Sequence, residues 1–90
     1  MSEGYDVRFS KAARRALSKQ LPEKVAAAAF EFIMGALAGN PKRLGKQLEA
    51  PLWPLYSARR GEYRVIYRVE DRHLVVEIVS IAHRWDAHRL

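Results

Sequence analysis

Arginine is the residue type with the clearest chemical potential in this chain. Arg59, Arg60, Arg64 and Arg68 lie close together, and Arg84 follows between His83 and His88. A guanidinium keeps its charge at any physiological pH and presents paired donors in a fork that matches two oxygens of a phosphate. Imidazole exchanges a proton near neutrality. Sixteen Lys and Arg against ten Asp and Glu leave a net charge of +6, which favours polyanions or acidic protein surfaces as partners. Nucleic acid leads that group. The chain has no cysteine, which excludes a disulfide scaffold, a Cys-ligated zinc site and a thiol nucleophile and is compatible with a reducing cytosol.

The elements that must position these side chains fit one domain, residues 1–90, since a second core would need roughly 50 more residues. Apolar residues make up 49% of the chain and charged residues 29%, enough to build a core and unlike a disordered chain. The first residues, Met1 to Asp6, lack the basic and apolar regions of a secretory signal. The longest mostly apolar run, Val25 to Ala38, is broken by Glu31 and is too short to span a membrane. Tyr5 to Phe9 alternates as a half-buried strand does. Ser10 is placed to cap a helix over Lys11 to Gln20, and a second helix starts at Pro22 and ends at Gly39-Asn40-Pro41. From Lys42 to Pro54 no period is sustained and a loop is expected, carrying Lys42, Arg43 and Lys46. Leu55 to Arg59, Tyr63 to Glu70 and Leu74 to Ala82 read as a three-stranded meander. The predicted fold class is α+β in the order β-α-α-β-β-β, an antiparallel sheet packed on a helical hairpin.

Two-residue turns at Arg60-Gly61 and Asp71-Arg72 would pair Arg59 with Glu62 and Glu70 with His73. Tyr63, Val65, Tyr67, Val69, Leu74, Val76 and Ile78 then share the face that the helices cover. Leu55, Ser57, Arg59, Arg64, Ile66, Arg68, His73, Val75, Glu77, Val79, Ile81 and His83 share the solvated one. Arg64 falls in the middle of that second face, opposite Ser57 and Val79, where a charge has little structural use. Glu77 can balance Arg68 in a surface ion pair, but not also Arg59, Arg60, Arg64 and Arg84. Trp53, Tyr56 and Trp85 are placed near the basic face, where they could stack on bases.

The stretch Arg59-Arg60-Gly61-Glu62-Tyr63-Arg64-Val65-Ile66-Tyr67-Arg68-Val69 resembles the second hairpin of the RelE/ParE superfamily of bacterial toxins, R-x-G-x-Y-R-x-x-Y. His83-Arg84-Trp85-Asp86 is similar to that superfamily's G-H-R-x-D ending, and the order of elements agrees over nearly the whole chain. Within the superfamily the chain is most similar to RelE-type messenger-RNA interferases. The resemblance implies a RelE-like, microbial-RNase-related fold and a cytoplasmic, metal-independent endoribonuclease without cofactors that cuts A-site codons on the 70S ribosome. By the same resemblance Arg64 and Arg84 grip the scissile phosphate. The family's lysines on the preceding strand are replaced by Leu55 and Ser57, and its C-terminal tyrosine by His88, which becomes the candidate general acid or base. Arg59, Arg60, His83 and Trp85 are expected to contact the message, and Lys42, Arg43 and Lys46, with the basic helix residues, the small-subunit ribosomal RNA. A RelB-like antitoxin is implied as partner, acidic and partly disordered, through which the complex would bind operator DNA. Two other readings carry different expectations: a ParE-like toxin that inhibits gyrase without nuclease activity, and an inactive toxin relic, suggested by the missing lysines.

Overall fold

A computed structural model describes residues 4–83 of the chain. The first strand, β1, covers Asp6–Phe9. The Ser10 side chain then accepts a bond from the Ala13 amide, the N-cap that opens helix α1, Lys11–Arg15. This helix widens into a π-type turn over Ala16–Gln20, closed by the Leu21 amide donating to the Ala16 carbonyl at 2.9 Å. Helix α2 starts after Pro22, runs over Glu23–Phe32 and also widens, over Ile33–Leu37. Its buried stripe, Val25, Ala29, Phe32, Ile33 and Leu37, has the three-to-four spacing of a core-facing helix.

Within the segment expected to be a loop, Pro41–Leu44 forms a short helix, α3, and Lys46–Gln47 a short strand, β2. Strands β3, β4 and β5 cover Tyr56–Arg60, Tyr63–Glu70 and Val75–His83. They form a five-stranded sheet in the order β1-β5-β4-β3-β2. The sheet is antiparallel except at its β1 edge, which runs parallel to β5. The helices cover one face, where Ile33, Leu37, Val65, Val76 and Ile78 are fully buried. Each such side chain stabilises the fold by about 1.5–3 kcal/mol relative to leaving it exposed. Among the described residues no helix is long and apolar enough to cross a membrane.

Both predicted registers are corrected by two positions. Gly61 takes a φ of +57° in the first turn, a conformation that glycine adopts without strain, so the turn holds Gly61 and Glu62 and Arg59 pairs with Arg64 instead of Glu62. In the second hairpin the turn extends through Leu74, and Glu70 pairs with Val75 instead of His73. Leu74, expected in the core, is half exposed in that turn. Because side chains alternate with period two, shifts of two leave the other side chains of β3, β4 and β5 as far as Ile78 on their predicted faces.

A third difference does change faces. Tyr67 pairs with Ile78 but Ile66 with Ser80, so Val79 is an extra residue, a β-bulge, in β5. The bulge is braced from the α1 cap, where the Ser10 hydroxyl donates to the Val79 carbonyl at 2.7 Å. Beyond it the alternation inverts: Ser80 and Ala82 face solvent, while Ile81 and His83 turn to the helix side and are buried.

Candidate functional site

The face that no helix covers among the described residues is built in rows that cross the strands. Nearest the Gly61 turn the row is Arg59, Arg64 and Ala82. The next is Lys46, Ser57, Ile66 and Ser80. Further along come Arg68, Glu77 and Arg8. Ser57, Ser80 and Ala82 in the first two rows are short beside the longer Lys46, Arg59 and Arg64, with Ile66 between the two serines.

The cations differ in what they already hold. Arg68 Nη2 lies 2.6 Å from Glu77 Oε1, a surface ion pair worth about 0–1 kcal/mol. Lys42 Nζ sits 2.5 Å from Asp71 Oδ2, and the Tyr5 hydroxyl donates to Asp71 Oδ1 at 2.8 Å. The hydrogen bond from Lys42, with that from Tyr5, holds the Asp71 carboxyl below the usual carboxylate range. The same bond raises Lys42, and the Asp71 contact raises Tyr5. Arg60, on the opposite side of β3 from Arg59, lays its guanidinium 4.7 Å from the centre of the Phe32 ring on α2.

Arg59 and Arg64 hold nothing comparable. They are cross-strand partners, and neither has an ion pair among the described residues. Arg64 is half-buried, and its Nε is fully enclosed with no hydrogen-bond partner among the described residues. Like charges directly opposite one another in a sheet repel. A polyanion laid across them would relieve that repulsion and satisfy their donors.

The structure therefore divides the sequence-predicted residues. It brings Arg59, Arg64 and Lys46 onto one open face. It places Arg60 and His83 on the other, which corrects the face expected for His83 and separates Arg60 from Arg64. His83 is 8% exposed, paired with Tyr63 across the sheet, and its Nε2 lies 3.6 Å from Glu62 Oε1. Tyr56 also faces the helix side, stacked on Tyr67 with ring centres 5.5 Å apart. Trp53 is 61% exposed in the β2–β3 connection. Arg43 is exposed on α3. Arg84, Trp85 and His88 lie outside the described residues. A cavity of about 570 Å³ lined by Val25, Phe32, Arg60 and Tyr63 opens on the helix side and does not reach the Arg59–Arg64 pair.

Sequence reasoning missed the strand that carries Lys46. Its signal was Gly45. A Cβ there would lie 2.0 Å from the Tyr67 hydroxyl and 3.0 Å from the Ser57 carbonyl, so only glycine lets the chain pass this close to the sheet. The Tyr67 hydroxyl donates to the Pro41 carbonyl at 2.6 Å, which ties α3 to the sheet at the same point. Burial pushes this phenol up to about 12.

Comparison with known proteins gives a consistent answer. The sequence profile of a family described as the ParE toxin of the type II toxin–antitoxin system parDE matches residues 7–87. The toxin RelE of Mycobacterium tuberculosis is 50% identical over 86 residues, covering 96% of this chain and 88% of that protein. The toxin RelG of the same organism is 47% identical over 85 residues, covering 94% and 97%. A chain in the crystal structure of the M. tuberculosis toxin–antitoxin complex RelBE2 superposes with a TM-score of 0.86 at 47% identity, covering 90% of this chain and 99% of that one.

Proposed function

Since this chain belongs to the ParE toxin family of type II toxin–antitoxin systems and has the fold of the RelE toxins, we propose that it is a ribosome-dependent endoribonuclease that cuts messenger RNA in the A site and so stops translation. The observation that carries this reading is the Arg59–Arg64 pair, without a carboxylate partner among the described residues, beside Ser57, Ser80 and Ala82 on one sheet face. In the reaction a ribose 2′-oxygen attacks the adjacent phosphorus, the bond to the next nucleotide's 5′-oxygen breaks, and negative charge builds on the nonbridging oxygens. Arg64, with Arg84, stabilises that charge. Arg59 holds the neighbouring backbone. His88 exchanges the protons, and Trp85 stacks on a base. The ribosome supplies the alignment that so sparse a site lacks. Lys42, bonded to Asp71, contributes less to ribosomal RNA than Arg43, which is free of ion pairs among the described residues.

The partner is a RelB-like antitoxin, a reading supported by a similar chain solved in the toxin–antitoxin complex RelBE2; on this proposal an acidic segment of it covers the positive surface and silences the toxin. Operator binding runs through that antitoxin, and the pair acts in the cytoplasm. The family's ParE designation supports a second reading, inhibition of gyrase.

One experiment separates the two. Ribosomes are programmed with a defined A-site codon, the protein is added, and fragment ends are mapped beside a supercoiling assay. Fragments with a cyclic phosphate and a free 5′-hydroxyl at the A site are expected. Intact message with blocked supercoiling would establish the gyrase reading instead, and intact message with normal supercoiling would mark a relic.

A further inference from the structure

Lys46 lies opposite Ser57, and Ser57 lies opposite Ile66. Partners in register point to the same side of a sheet, so the Lys46 side chain emerges on the face of Arg59 and Arg64, one row away. Strand spacing and rise put its Cα about 8 Å from that of Arg59 and about 12 Å from that of Arg64. Only Ser57 and Ile66 stand in the row between, and a lysine and an arginine reaching toward each other close such a gap around a single phosphate.

The position is a fixed one. Gly45 packs against the Tyr67 phenol on one side of Lys46. On the other, the Leu48 amide donates to the Leu55 carbonyl at 2.8 Å, and the Gln47 side chain donates to the Pro54 carbonyl at 3.2 Å. Lys46 is exposed and has no ion pair among the described residues, unlike Lys42. The backbone is thus held in place while the ammonium stays uncommitted, next to Ser57, a strand position with no charge of its own.

We propose that Lys46 is a catalytic cation of the messenger-cleaving site, its ammonium bonded to a nonbridging oxygen of the scissile phosphate across from Arg64; this rests on the nuclease reading above. The bond that forms is O2′ to phosphorus and the bond that breaks is phosphorus to O5′. One proton leaves the 2′-hydroxyl for a base and one reaches the departing O5′. Lys46 moves neither and stabilises the charge on the phosphate between the two events.

The test is single-turnover cleavage on programmed ribosomes at saturating protein, for the wild type, Lys46→Ala, Lys46→Gln, Lys46→Arg and the control Arg72→Ala, which removes the same charge from the β4–β5 turn. Lys46→Ala and Lys46→Gln are expected to lower the maximal rate about tenfold to a hundredfold. Lys46→Arg should stay within about threefold of wild type, since it keeps the charge, and Arg72→Ala should match wild type. All melting temperatures should be alike. A maximal rate unchanged in Lys46→Ala, even with weaker half-saturation, would overturn the proposal while leaving the nuclease reading intact. If the wild type leaves the message whole, both fall together.

Discussion

Arg59 and Arg64 face each other directly across β3 and β4, on the side of the sheet that no helix covers, with no carboxylate paired to either among the described residues. Charges elsewhere are neutralised: further along the same face Arg68 is paired with Glu77, and off the sheet Lys42 on α3 is paired with Asp71 in the β4–β5 turn. On the proposed function the repulsion within this pair is a stability cost kept for a ligand, and the opposing demands of folding and function can be measured separately.

Arg59→Ala removes one member of the pair. Urea unfolding should show a gain of roughly 0.2–1 kcal/mol, the size of a relieved cross-strand repulsion. The same variant should cleave ribosome-bound message more weakly. A loss of stability would show that the arginines serve the fold.

Ser10 both caps α1 and braces the Val79 bulge. Ser10→Ala should cost about 1–2 kcal/mol in urea unfolding, at the upper end of N-cap losses because two bonds go. Amide exchange should also quicken around Val79 and Ser80. Unchanged exchange there would mean that the bulge holds without Ser10.

Gly45→Ala places a methyl group against the Tyr67 phenol and the Ser57 carbonyl. A loss of about 1–3 kcal/mol is expected, as for an overpacked site. Tyr67→Phe added to it should recover part of the loss by removing the nearest oxygen. Solution NMR should show the Lys46 amide losing protection in the single variant.

Two groups give the stability a pH dependence of known sign. Asp71 titrates below its ordinary value in the folded chain, so its contribution is full above about pH 4 and is lost as pH falls through the lowered folded value. Asp71→Asn should remove that acid limb. Tyr67 is raised to about 12, so its contribution is full below about pH 10 and is lost as pH rises from there through 12. Tyr67→Phe should flatten the alkaline limb. Urea midpoints across both ranges check each slope.

Much of this site was readable from residue types alone because strand side chains repeat every two positions. A register wrong by two still put Ser57, Arg59 and Arg64 on the open face. The same rule separates Arg59 from Arg60, which as strand neighbours must face opposite ways. His83 was not readable, since the Val79 bulge inverts the alternation and its cause, the Ser10 hydroxyl, is distant in sequence. Elements α3 and β2 are too short to show a period, and only the glycine at 45, meaningful once Tyr67 is seen against it, marks where the chain joins the sheet. Leu74 was misplaced because a turn closed by a residue at a φ of 53° carries no glycine to announce it.

The most direct measurement of the central claim is the single-turnover cleavage rate of Arg64→Ala on ribosomes carrying a defined A-site codon, taken alongside its urea midpoint. A fall of about 10²-fold or more with folding unimpaired is expected, the size of losing one donor aimed at developing charge. A variant that folds normally and cuts at the wild-type rate would contradict the assignment of the open face as the site of cleavage.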